Sequence, residues 1–564
     1  MQSILIVVVT FILYIIAYHT YGKFLRNRIF KIDINAKTPS HTLKDDIDYV
    51  PTKKQILFGH HYTSIAGTGP IVGPAIGVIW GWVPALLWVL IGSIFMGAVH
   101  DFGVLFLSMR REGRTIGDIT GDIIHPRMRI LFLSIIFFML LLVIAVFLLV
   151  IATIFAMFPE SVIPVWFQIP IAVWLGYQVR KSGGNIYVLG FVATMLMYVT
   201  IIIGAWLPIS LPPFMSLQPL TIWCIVLLIY AYVASVLPVW KLLQPRDFIN
   251  SYQLFVALGL LVLGVLVARP QIVAPAFQLT PAGAPSLFPF LFVTIACGAI
   301  SGFHSLVSSG TSSKQIDNEG DALLVGYGSM LLEGVLAVLV IIAVCGGLGL
   351  ALMTKEGELL TGPEAWNHYY SSWTAVKGLG AKLGAFVKGS ANLLSTYGIP
   401  KSIGITIMGV FVASFAGTTL DTATRIQRYV VSELSKSFRI KTLQSRHPAT
   451  VFAVITAAIL ALSQGGGKGG MILWPLFGTA NQLLAVLTFL VLTFYLIKKK
   501  INPLYTMIPM ILMFVITAAA MAINLRQYIQ NSQWHLMGIA VVIAILELWM
   551  IAEALLNIKS DKNI

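Results

Sequence analysis

Charge is what this sequence has least of. Asp, Glu, Lys and Arg make up 10% of its 564 residues, where a soluble domain carries about 25%. That scarcity leaves little room for a soluble domain. Cysteine is rarer still. Cys224, Cys297 and Cys345 are the only three, and each falls inside an apolar run, which argues against a disulfide framework. Acidic residues number 22 against 37 basic ones, a formal net charge of +15. In a soluble chain that excess would suggest nucleic acid; here the positions of the charges give another reason. No nucleophile elbow, P-loop or metal-ligand cluster is present, so neither an enzyme nor a bound cofactor is expected.

What the chain does have is apolar length. It is 58% hydrophobic, with a mean hydropathy of +0.88. Runs of the length needed to cross a bilayer recur from end to end. Fifteen are expected, at 3–20, 56–80, 82–108, 130–157, 162–179, 186–210, 220–240, 251–267, 289–310, 321–352, 401–424, 448–464, 471–496, 503–523 and 534–556. The first lacks a basic leader and a small-residue cleavage site, so it reads as a span and not as a signal peptide. The spans predict an all-α polytopic membrane protein.

Basic residues orient it. With the N-terminus outside, the inside segments 21–55, 109–129, 180–185, 241–250, 311–320, 425–447, 497–502 and 557–564 hold 29 of the 37. Basic loops stay cytoplasmic, and an anionic leaflet accounts for the +15 without nucleic acid. The expected place is a membrane with the C-terminus on the cytoplasmic side, with lipid as surroundings and a small molecule as partner. The long segment 353–400 lies outside. Its amphipathic stretch "AKLGAFVKGSANLLSTYG" reads as an interfacial helix, a surface connector or a gate.

Two spans carry chemistry that breaks helices. "SIAGTGPIVGPAIG" (64–77) holds four glycines and two prolines. In hydrocarbon, irregular backbone survives only where protein or a cavity surrounds it. Close packing through small residues explains Gly67, Gly69 and Gly73, but not Pro70 and Pro74 so near each other. "TIACGAISGFHSLVSSGTS" (294–312) is the second. The two lie seven spans apart in opposite orientations, as an inverted-topology repeat requires. Paired interrupted segments of this kind point to a secondary transporter's binding site. Their half-helix N-termini suit a carboxylate.

Polar residues inside spans are costly and therefore candidates for function. They are His60 and His61, His100 and Asp101, His304, Glu333, Asp421, Asn481 and Gln482. Glu333 and His304 are deepest and could carry a coupled proton. Asp101 could instead pair with Arg110 or Arg114, and Asp421 with Arg425 one turn on. Adjacent histidines point about 100° apart on a helix, so His60 and His61 suit hydrogen bonding or gating better than a metal. Gly67, Gly69, Pro70, Ser301, Gly302 and Ser305 could offer backbone or hydroxyl groups to a substrate. Thr418 and Thr419 offer oxygens that a hard cation such as Na⁺ would accept.

"VPTKKQILFGHHYTSIAGTGPIVGPAIG", "GAVHDFGVLFLSMRREGRTIGDI", "ASVLPVWKLLQPRDFIN", "TIACGAISGFHSLVSSGT" and "LWPLFGTANQ" resemble the carbon starvation protein A (CstA) family from about residue 50 to 490. The resemblance implies an inner-membrane importer of peptides, or in some members pyruvate, when carbon is scarce. It also implies the fold of the amino acid–polyamine–organocation superfamily, a five-plus-five inverted repeat like that of LeuT, with broken first and sixth helices. The segments would then be 1–55, a core at 56–490 and two trailing spans at 497–564. Within the core, the first repeat would be 56–210, the insertion 220–267 and the second repeat 289–496. By position in that fold, Ala66, Gly67, Thr418 and Thr419 would lie together at a cation site. The reading is a secondary active importer working by alternating access and coupled to H⁺ or Na⁺. A passive channel remains open. A nutrient sensor would need a larger signalling segment than the 35 residues of 21–55.

Overall fold

In a computed structural model the chain is described over residues 1–45, 48–182, 185–215, 217–354, 357–373, 379–463 and 469–561. Parts of several expected segments lie outside the described residues: 46–47, 183–184, 355–356, 374–378, 464 and 562–564.

The helices that build the bundle include, in chain order, α1 (Gln2–Ile29), α2 (Lys54–Ala66), α3 (Gly69–Trp80), α4 (Trp82–Met109), α5 (Pro126–Met157), α6 (Pro159–Val179), α7 (Ile186–Trp206), α8 (Pro219–Val236) and α9 (Leu243–Ala268). They continue as α10 (Leu287–Thr294), α11 (Phe303–Val307), α12 (Glu319–Leu350), α13 (Leu379–Ser395), α14 (Lys401–Ser437), α15 (Arg446–Leu462), α16 (Leu473–Lys498), α17 (Leu504–Gln530) and α18 (Trp534–Glu553). Among the described residues twelve helices are long and apolar enough to cross a membrane, or thirteen with the bent pair α2–α3 counted as one span. Two of the fifteen expected runs fall outside that number for physical reasons. Run 289–310 is divided between α10, a non-helical stretch and α11, and α15 is only 17 residues long.

Burial separates an inner group from an outer one. The most apolar windows of α5, α12, α14 and α16 are 89–94% buried, against 28–33% for α1, α6, α7 and α18. A helix apolar on all sides is stable only when surrounded, and α5 is of that kind. Pro126 stands in its first turn and the His125 side chain accepts the Arg127 N–H, so its start is fixed. α14 runs along α5 for much of its length.

The two interrupted segments meet inside this group. α2 and α3 are bent by 43° about Gly67 and Thr68. Gly67 has φ +46°, and a methyl group there would sit 2.5 Å from Thr419 Oγ1, so only glycine fits. Pro70 stands in the first turn of α3, where its missing N–H costs nothing. The second interruption runs from Ile295 to Gly302. Methyl groups on Gly69, Gly73 or Gly298 would collide with Cys297, the Thr294 carbonyl or Ala337. Gly69 and Gly73 therefore serve close packing of the two breaks against each other and Gly298 packing on α12, while the bend falls at Gly67 and both prolines lie within α3.

Two expectations are corrected. Residues 241–250 are not a loop: α9 begins at Leu243 and buries Arg246, Asp247 and Asn250. Two charges at the start of the apolar run made it look shorter than the helix is. Nor does the amphipathic stretch of 353–400 lie at an interface or on the surface. α13 buries thirteen of its seventeen residues. Its Asn392 side chain donates to the carbonyls of Gly347 and Ala351 at 2.9 and 2.6 Å, which fastens it to the end of α12.

Candidate functional site

Four titratable side chains from three helices form a continuous buried line. His100 and Asp101 lie on α4, His304 on α11 and Glu333 on α12, and all four are 0% exposed. His100 Nδ1 is 2.8 Å from Asp101 Oδ1, and the other oxygen of Asp101 is 2.8 Å from His304 Nδ1. The far side of that ring, Nε2, is 3.4 Å from Glu333 Oε2. This last contact lacks hydrogen-bond alignment, and neither oxygen of Glu333 has a hydrogen-bond partner among the described residues. A buried carboxyl in that state is costly if charged and can accept a proton if it is. Asp101 therefore does not pair with Arg110 or Arg114. Those bind Glu319 and Asp122, at 2.8 and 2.5 Å. The line adjoins the first break, because the Tyr62 hydroxyl near the end of α2 donates to the Leu332 carbonyl at 3.1 Å.

The second break is held by α16. Asn481 Oδ1 accepts the Phe303 N–H at 2.8 Å, its carbonyl accepts the Gly302 N–H at 3.1 Å, and its amide donates to Ser301 Oγ at 3.0 Å. One side chain thus caps the start of α11. Ser305 Oγ donates to the Gly302 carbonyl at 2.7 Å. The α11 terminus and Ser301, Gly302 and Ser305 are already engaged by protein. Gln482 also turns to the break, donating to the Phe292 carbonyl at 2.7 Å. The first break is different. Thr68 at the start of α3 makes no side-chain cap. Its hydroxyl, Ser64 Oγ and His61 Nε2 are buried and without a partner among the described residues. Gly69 and Pro70 pack on Cys297 and Gly298 of the other break, so their contribution is backbone shape.

A second buried polar cluster lies where α9 crosses α14. The Arg246 guanidinium is bonded to Asp421. It also meets the Tyr230 hydroxyl at 2.5 Å, Gln168 Oε1 at 3.2 Å and the Ser414 carbonyl at 3.3 Å. Tyr230 donates in turn to Asp421 at 2.7 Å. A methyl group at Gly417 would collide with the guanidinium, so glycine makes room for it. The expected Asp421–Arg425 pair is not formed. Arg425 reaches the carbonyls of Ala234 and Leu237, at 3.0 and 2.7 Å. His60 and His61 diverge as adjacent helical residues must, to Asp247 and to Ser312, each at 2.7 Å.

The candidate cation group is partly assembled. Ala66 ends α2, and Gly67 packs on Thr419. The Thr419 hydroxyl donates to the Phe415 carbonyl at 3.3 Å. Thr418 Oγ1 accepts the Asn250 amide at 2.7 Å, and Asn250 Oδ1 accepts the Gln168 amide at 2.6 Å. The sequence reading missed Gln168, Tyr230, Arg246, Asp247 and Asn250. Its one available signal was the run "QPRDFIN" beside an apolar stretch.

Comparison with known proteins identifies the family. The family model described as "Carbon starvation protein CstA" matches residues 2–520. A peptide transporter CstA of Campylobacter jejuni is 34% identical, over 92% of this chain and 79% of its own length. A peptide transporter CstA of Escherichia coli K12 is 32% identical, over 88% and 77%. A pyruvate/proton symporter BtsT, also of Escherichia coli K12, is 31% identical, over 93% and 82%. The chain belongs to the carbon starvation protein CstA family. Its relatives carry the names of transporters for peptides or pyruvate, and the twelve long apolar helices among the described residues make it a multi-pass membrane protein.

Proposed function

We propose that this member of the CstA family is a secondary active importer of small carboxylate-bearing nutrients, peptides or pyruvate, with a proton as coupling ion. The observation that carries the reading is the line His100–Asp101–His304–Glu333. Titratable groups inside a membrane protein are expensive and mark proton paths. This line ends on a carboxyl with no hydrogen bond among the described residues, next to a helix break. A proton arriving at Glu333 would remove its charge and loosen its hold on His304, and with it the Asn481-capped start of α11. The relative named as a pyruvate/proton symporter supports the same choice. The polar atoms of the first break without a partner among the described residues, His61 Nε2, Ser64 Oγ and Thr68 Oγ1, are the proposed seat of the substrate carboxylate. Sodium is the weaker candidate. The N–H of Asn250, directed at Thr418 Oγ1, would oppose a cation there.

The transport cycle is proposed as alternating access of an inverted repeat in fifteen spans, N-terminus outside and C-terminus in the cytoplasm of a bacterium short of carbon. Packing supports one change in how the repeat is divided. α9 lies along α2 and α14, much as α16 lies along α10, α11 and α5. α8 touches α5 and α14, as α15 does. We therefore assign α8 and α9 to the end of the first repeat and make α6 and α7 the inserted pair. α13 would act as the outer gate, resting on α3, α5 and α12.

The test is uptake of labelled pyruvate by proteoliposomes under an imposed proton gradient or an imposed sodium gradient, with a dipeptide as competitor. Accumulation with the proton gradient alone is expected. Accumulation only with sodium would overturn the coupling assignment, and equilibration without accumulation would make the protein a channel.

A further inference from the structure

The basic end of the bundle holds a cavity of about 550 Å³, within the roughly 300–1,000 Å³ typical of small-molecule sites. Its walls include Arg425, Arg428, Tyr429, Arg446, Trp240 and a single acid, Asp48. Three guanidinium groups thus face one carboxylate. None of the three forms an ion pair among the described residues. The reason is structural for Arg425: Asp421, one turn earlier, is taken by Arg246. Arg425 is 4% exposed, and its Nε has no partner among the described residues. Arg428 is 5% exposed, lies over the Tyr429 ring at 4.5 Å and donates to the Ser235 carbonyl at 2.7 Å. The first turn of α15 adds Ser445, Arg446 and Ala449 to the wall, and Ser445 makes no side-chain cap. Its N–H groups and the helix dipole favour an anion at the same place.

We propose that this cavity binds a phosphate-bearing anion. Guanidinium forks match phosphate oxygens in pairs, and the excess of positive charge suits a group with more than one negative charge or several acceptor oxygens. The anion comes either from the headgroup of an acidic phospholipid or from a soluble phosphate compound. The site is distinct from the His100–Glu333 line and does not depend on the coupling ion or the nutrient.

The experiment is a thermal-unfolding titration of the purified full chain in a neutral detergent. One arm adds inorganic phosphate against potassium chloride at equal ionic strength. The other adds phosphatidylglycerol against phosphatidylcholine. The wild type is expected to be protected in at least one arm, and Arg428→Gln and Arg446→Gln should each weaken the apparent affinity about tenfold. Protection by phosphatidylglycerol alone identifies a lipid headgroup, and protection by phosphate in solution identifies a soluble ligand. Arg446 is exposed, so its variant is expected to fold even if Arg428→Gln does not. Protection no greater than in the controls, or equal in wild type and Arg446→Gln, overturns the proposal.

Discussion

The two buried charge clusters differ in one respect. In the α9–α14 cluster the guanidinium of Arg246 reaches four acceptors, and Asp421 Oδ2 accepts from both Arg246 and Tyr230, while its Oδ1 has no partner among the described residues. In the His100–Glu333 line the chain of contacts ends on a carboxyl that no donor among the described residues reaches. Both sit in the same apolar surroundings, so the difference is not burial. A buried carboxylate gripped by a guanidinium and a hydroxyl holds helices in one arrangement, whereas one that no donor grips gains more by taking up a proton. The first cluster fastens α9 to α14. The second has somewhere to put a proton.

That contrast can be broken experimentally. The largest effect is expected from Glu333→Gln: proton-driven accumulation falls to simple equilibration, while membrane yield and Tm stay near those of the wild type. Accumulation at the wild-type level would sink the proton role. Asp421→Asn should do the reverse, losing folded protein first. Breaking one partner of a buried pair costs about 3–5 kcal/mol, read as a large fall in Tm; the double variant Arg246→Met/Asp421→Leu should recover much of it. A double variant no better than the single one would show that the pair does more than balance charge.

Smaller effects sharpen the picture. Asn481→Ala strips the cap from α11 and leaves the Phe303 N–H unpaired, a cost of about 1–3 kcal/mol, and is expected to lower the uptake rate more than it lowers Tm. A variant with normal uptake would mean that the second break does not move. The smallest effect concerns Lys382 on α13, outside the spanning helices, whose amine burial pushes down to about 7. The unfolded chain binds that proton more readily, so stability rises with pH from about 7 towards 10.5. Lys382→Met removes this slope. The difference in Tm should shift in the variant's favour as pH falls from about 10 to 7, and parallel profiles would contradict it.

The sequence by itself determined that this is a helical membrane protein, where most of its helices run and which two of them break, because the scarcity of charge, apolar length and the Gly–Pro chemistry of 64–77 are local properties. It also marked Asp101, His304 and Glu333, since an ionisable group inside an apolar run stands out in one dimension. Only the tertiary structure decided which of them meet. Asp101 reaches His304 across 203 positions, and Asp421 prefers Arg246 at a distance of 175 positions to Arg425 one turn away. Helix packing chooses partners by facing direction, which spacing along one helix does not encode. For the same reason α9 hid its polar start in what read as a loop, and α13 its buried place in what read as a surface segment: the neighbours that make such residues affordable belong to other helices.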